Sequence, residues 1–126
     1  MTNVNSIFKK VETHFNFLYE KGFVMTNAEY APQFNGNWYV EFKSKDCFIY
    51  ITCDRNAIIL EIAPVLFNNI YNRVSLEKEI HNLSNGKIIV EPFKGNFAWG
   101  EKKQFERLSR LLKDYIDKII EHYKNN

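Results

Sequence analysis

A chain of 126 residues with 45% hydrophobic, 25% charged and 16% aromatic residues has the size and composition of one self-folding domain spanning residues 1–126, and is too aromatic for a disordered segment. Its formal net charge of +2 falls short of the basic balance that marks a polyanion-binding domain, so composition names no nucleic-acid partner. No stretch approaches the ~20 apolar residues of a bilayer span, and Met1-Thr2-Asn3-Val4-Asn5 lacks the basic start and apolar run of a secretory leader; a cytoplasmic protein without a membrane partner is expected.

In chain order, Val4, Ile7, Phe8, Val11, Phe15, Leu18 and Tyr19 recur at three- and four-residue spacing and predict a helix from Val4 to Tyr19, stopped by Gly22. Phe17 falls on its polar face with Lys9, Lys10 and Glu20, so it is either covered by another segment or open to a partner. A short strand is expected from Phe23 to Tyr30, then a turn at Pro32 to Gly36. Three segments of strand character follow, Trp38 to Ser44, Cys47 to Cys53 and Ala57 to Ala63, joined by Lys45-Asp46 and Asp54-Arg55-Asn56.

Register follows from which pairing gathers the apolar residues, since a slip of one residue moves a strand's whole side-chain set to the other face. Ser44 opposite Cys47 and Asp54 opposite Ala57 put Trp38, Val40, Phe42, Ile49, Ile51, Cys53, Ile58, Leu60 and Ile62 on one face, the expected core. Pairing Cys53 with Ala57 would place Glu61 beside Ile49 there, an unpaired charge costing several kcal/mol.

After Pro64, the spacing of Leu66, Phe67, Ile70, Tyr71 and Val74 suggests a short helical piece. Ser75 can N-cap another helix with Leu76, Ile80 and Leu83 inward, Glu77 in its first turn and Asn85-Gly86 at its end. Lys87 to Phe93 could be a fifth strand, ended by Pro92. The last helix, Glu101 to about Tyr123, carries an apolar stripe too wide for a two-helix seam and should lie across a sheet. The fold class expected is α+β: an antiparallel β-meander of three to five strands packed by an N-terminal helix, a short middle helix and a long C-terminal helix.

Motifs that carry chemistry are scarce. His14, His81 and His122 lie on three different predicted elements without ligand spacing, and Cys47 and Cys53 belong to no nucleophile motif, so no catalytic residue, metal or cofactor is expected. At ~3.3 Å per residue of strand the two cysteines stand roughly 20 Å apart, beyond disulfide reach. They read as small buried residues of a reducing compartment. The stretch Gly95-Asn96-Phe97-Ala98-Trp99-Gly100-Glu101-Lys102 resembles a phosphate-binding loop, but its lysine is one position late, Ser/Thr is missing and Glu101 opposes phosphate at the helix start. Lys102, Lys103, Arg107, Arg110 and Lys113 crowd the first half of the last helix, the wrong sign for its dipole. Interleaved acids suggest an ion-paired, solvated face, with Arg110–Asp114 and Lys113–Asp117 as four-residue pairs.

The pleat that turns Trp38, Val40 and Phe42 inward turns Tyr39, Glu41, Lys43, Phe48, Tyr50, Thr52, Ile59 and Glu61 to the opposite face. Exposed, these would form a recognition surface; a helix with a broad apolar stripe could equally cover them. Tyr39, Glu41, Lys43, Phe48, Tyr50 and Glu61 are the candidate partner-binding residues.

Phe17-Leu18-Tyr19 to Gly22-Phe23, the Tyr30 to Phe34 segment, Val40-x-Phe-x-Ser44, Ile49-x-Ile51, Asp54-Arg55 and Ile58 to Pro64 together resemble a pattern in small bacterial proteins, some of them similar to immunity proteins of contact-dependent or polymorphic toxin systems. The resemblance covers about half the chain and departs at Asn56, where a glycine would suit the turn better. It supplies no catalytic residue and implies a non-enzymatic protein that neutralises a partner protein by surface complementarity. A nucleic-acid-binding protein using the aromatic sheet face is the alternative, disfavoured because Glu41 and Glu61 flank Tyr50 and would repel phosphate.

Overall fold

The computed structural model describes residues 3–34, 36–66, 70–91 and 100–124. Helix α1 spans Val4–Phe15 and a single turn, α2, spans Phe17–Glu20. Strands β1 Val24–Ala31, β2 Asn37–Lys43, β3 Cys47–Asp54 and β4 Ala57–Pro64 follow, then a 3₁₀ turn Ile70–Asn72, β5 Val74–Ser75, α3 Leu76–Leu83 and α4 Glu101–Lys124. All five strands form one antiparallel sheet in the order β1-β2-β3-β4-β5. The α+β meander is as the hydropathy pattern predicts.

Both inferred registers hold. Trp38 pairs with Cys53 and Phe42 with Ile49; Cys53 pairs with Ile58 and Asp54 with Ala57. The inner face thereby presents Trp38, Val40, Phe42, Ile49, Ile51, Leu60 and Ile62 to the helices. Ile7, Val11 and Phe15 of α1, Leu18 of α2, Leu76 and Ile80 of α3, and Phe105, Leu108, Leu112, Ile116 and Ile119 of α4 complete one core. Phe105 is its aromatic hub, stacked on Trp38 at 5.9 Å between ring centroids and met edge-on by Phe15 at 6.1 Å. Cys47 and Cys53 are both buried and free.

The N-terminal helix departs from the single run expected. Asn3 caps α1 reciprocally with Ser6, but after Asn16 the hydrogen bonds tighten, Tyr19 N–H reaching Asn16 C=O three residues back. That tightening turns Phe17 off the polar face and against the core, 6.3 Å from Phe15 and with the Lys113 ammonium 5.4 Å from its ring. Gly22, at φ +92°, ends the turn: Phe23 N–H bonds Leu18 C=O and Gly22 N–H bonds Tyr19 C=O, a Schellman closure only a left-handed residue permits.

The fifth strand is also not where the pattern placed it. Among the described residues of the Lys87 to Phe93 segment, 87–91, no strand forms. Its backbone bonds to helices instead: Ser84 Oγ accepts from Ile88 N–H, His81 Nδ1 meets Ile88 C=O at 3.1 Å, and Arg107 donates to Glu91 C=O. Val74–Ser75 takes the sheet edge, pairing with Ile62 and Glu61, and Ser75 then caps α3 by accepting from Lys78 N–H at 3.2 Å.

The hairpin between β3 and β4 is clamped from two sides. Arg55 and Asn56 have φ of 52° and 68°, the type I′ geometry that glycine or asparagine adopts most easily. Asn37 on β2 accepts from Arg55 N–H and donates to Asp54. From α4, the buried Gln104 accepts from Ile58 N–H at 2.7 Å and donates to Asn56 C=O at 2.8 Å, satisfying backbone groups that β5 is too short to reach.

Candidate functional site

The outer face is built row by row from residues that alternate with the core set. Glu29, Tyr39, Thr52 and Ile59 form one row across β1 to β4; Asn27, Glu41, Tyr50 and Glu61 form the next, continued by Ser75; Val24, Lys43, Phe48 and Ala63 form the third. None of the buried residues of the helices belongs to the small apolar cluster on this face, which consists of Phe48, Tyr50 and Ala63 with Val65 beside it.

The candidate residues are thus on one face, and its two central aromatics are buried. Phe48 is 8% and Tyr50 only 1% exposed, their rings stacked at 5.6 Å. Among the described residues no helix lies over them. The Arg73 guanidinium lies 3.7 Å from the centre of the Tyr50 ring, and the Lys43 ammonium stands 5.5 Å from that of Phe48. Neither ring is open to solvent. Tyr39, Glu41 and Glu61 are half-buried and Lys43 is exposed.

Sequence reasoning missed Arg73, the residue that organises the face. It follows the 3₁₀ turn, outside any periodic stretch, and only proximity in space brings its guanidinium over Tyr50, whose cross-strand neighbours are Glu41 and Glu61. Its buried Nε has no hydrogen-bond partner.

The polar groups around it are fixed by cross-strand bonds. Thr26, extra in the bulge between Met25 and Asn27, donates to Glu41 Oε2 at 2.7 Å, and Asn27 Nδ2 donates to the Tyr39 hydroxyl at 2.7 Å. Partial burial, then the Glu29 and Glu41 carboxylates, push the Tyr39 phenol above its ordinary range, so it stays a neutral donor and acceptor. Ile59 on this face is 42% exposed, and Leu66 and Tyr71, on the chain that carries Arg73, are 82% and 92% exposed. The face combines mixed charge, ordered polar atoms and apolar margins.

Other sequence candidates resolve into structure. His14 stacks on Phe105 at 5.1 Å, His81 holds the Ile88 carbonyl, and His122 meets Tyr123 edge-on. Arg107 pairs with Glu77 at 3.0 Å, both side chains mostly buried, tying α4 to α3. Asp117, expected to pair with Lys113, instead meets Lys21 at 2.9 Å. Gly95 to Trp99, including Phe97 and Trp99, lie outside the described residues. Among the described residues, no group of three or more His, Cys, Asp or Glu is placed to hold a metal, and no helix is long and apolar enough to cross a membrane.

No protein-family model matches the chain, and neither the curated proteins nor the solved structures searched contain a match.

Proposed function

We propose that the protein is a non-enzymatic protein-binding module that engages its partner with the outer face of the sheet, in the manner of the toxin-neutralising immunity proteins its strand pattern resembles. The observation that carries this reading is the Arg73 guanidinium 3.7 Å over the centre of the Tyr50 ring, in a face free of helices among the described elements. Arginine and tyrosine are the residue types that concentrate binding energy at protein interfaces, and stacking fixes the fork of N–H donors at little further entropic cost. Glu41, held by Thr26, and Glu61 on the other side of Tyr50 supply opposite charge, so the face can orient a partner of complementary pattern without attracting a polyanion. With Phe48 and Tyr50 buried, nucleic-acid bases would have no open ring to stack on.

The test is capture from the source lysate by the tagged protein at two salt concentrations, with and without nuclease. Arg73→Ala and Ile59→Asp alter the outer face, whereas Arg110→Ala alters the exposed side of α4. The reading expects a nuclease-resistant protein partner whose recovery falls about fivefold or more with either outer-face variant, equivalent to about 1 kcal/mol, and is unchanged by Arg110→Ala. Nuclease-sensitive recovery would favour the nucleic-acid alternative, and undiminished capture by both outer-face variants would remove the site from this face.

A further inference from the structure

A second polar cluster lies on the opposite side of the sheet, where α3, α4 and the start of β3 meet. Glu79 of α3 is only 4% exposed, between the core residues Leu76 and Ile80, and its Oε1 has no hydrogen-bond partner. The groups facing it are Tyr123 and His122 from α4, the first hydrogen-bonded to the carboxyl, and Cys47 from β3, itself beside Asp46. Among the described residues no lysine or arginine pairs with it. A carboxylate held this way is a buried charge with acceptor capacity unfilled, which the low dielectric of the interior penalises; the neutral acid escapes most of that penalty.

The surroundings favour the neutral form. Burial raises the Glu79 carboxyl above the glutamate value of 4.5, opposed by the Tyr123 bond and by His122. Burial also pushes the Cys47 thiol up to about 12 and raises the Tyr123 phenol, so neither neighbour ionises ahead of Glu79.

Glu79 belongs to the arm that shapes the outer face. Arg73 is followed directly by β5, and Ser75 both ends β5 and caps α3 through Lys78 N–H. One continuous stretch of chain thus joins the Arg73–Tyr50 stack to the buried carboxyl.

We propose that Glu79 is a proton-operated latch on this arm: as the neutral acid it allows α3 to pack on α4 and β3, and on ionising it loosens α3 and, through Ser75, the β5 pairing that positions Arg73. The latch is a property of the free protein and does not depend on what binds the outer face. Its sign follows from linkage. A carboxyl whose proton is held more tightly in the folded state contributes stability that is fully present below the unfolded glutamate value and is lost as pH rises through the folded value.

The experiment compares urea unfolding of the wild type, Glu79→Gln and Tyr123→Phe from about pH 4 to about pH 9, with amide exchange of residues 74–83 corrected for intrinsic base catalysis and a carboxyl-carbon titration of Glu79 by NMR. Each unit of difference between the folded and unfolded values changes the unfolding constant tenfold. The wild-type constant should rise relative to that of Glu79→Gln by about fivefold or more across this range, with faster arm exchange at high pH in the wild type alone. Tyr123→Phe removes a bond that favours the charged form and should move the loss to higher pH. A constant ratio across the range, arm exchange that ignores pH, or a wild-type Glu79 that titrates at or below the ordinary glutamate value would each overturn the latch. The last readout stands even if Glu79→Gln fails to fold.

Discussion

The two faces of this sheet are made from alternate residues of the same four strands, yet they are buried by different means. The inner face is covered by helices whose apolar stripes run the length of the strands, so its side chains from Trp38 to Ile62 belong to one continuous core. The outer face has no such layer among the described elements; of the described side chains, the Arg73 guanidinium lies over Tyr50, the Lys43 ammonium stands near Phe48 and Val65 packs beside them. Helix cover buries by area and is almost indifferent to any one charge. Cover by a guanidinium instead makes burial and charge placement the same event, leaving a surface that is ordered and polar together.

That contrast can be broken by truncation. Trp38→Ala removes a ring stacked on Phe105 in the centre of the core and should cost about 3 to 5 kcal/mol in chemical denaturation. Tyr50→Ala would have cost about half a kcal/mol had the outer face been open. With the ring 1% exposed under Arg73, the expected loss is about 2 to 4 kcal/mol, below Trp38→Ala because water can enter the site once the ring is gone. A loss under about 1 kcal/mol would mean that Arg73 does not cover Tyr50 in solution and that the ring is open to a partner.

The contrast also explains what could be read from the chain. Strand pairing was legible because one residue of slip would have put Glu61 beside Ile49, a penalty large enough to choose the register unaided. Which residues face outward was equally legible, since alternation carries it. Whether they are exposed was not: Arg73, which lies over Tyr50, is more than twenty residues along the chain from it and in no periodic pattern. The false fifth strand has a related cause: the Lys87 to Phe93 segment has strand composition, but the described part of its backbone finds partners in Ser84, His81 and Arg107, on or beside α3 and α4. Those partners too are distant or irregularly placed. Glu79 was passed over for the opposite reason. On a short amphipathic helix it reads as one more exposed acid, whereas in the fold it is 4% exposed and bonded by Tyr123 of α4.

The smallest effect is expected on β4, at a residue between two core positions. Ile58 and Leu60 are 2% and 0% exposed on the inner face, whereas Ile59, pairing with Thr52 on the outer face, is 42% exposed. β5 reaches only Glu61 and Ile62, so it does not extend alongside Ile59. Ile59→Thr keeps the branched β-carbon that suits a strand and removes apolar area only where water already reaches, so stability should change by no more than about half a kcal/mol. Leu60→Ala, one residue along, should cost about 2 to 5 kcal/mol in the same urea titration. If the outer face is a contact surface, Ile59→Thr should nonetheless weaken partner capture, since its exposed side chain lies in the same row as Tyr39. A loss of stability approaching that of Leu60→Ala would instead show that Ile59 is buried in solution, and the outer face would then be a second core rather than a surface held ready for a partner.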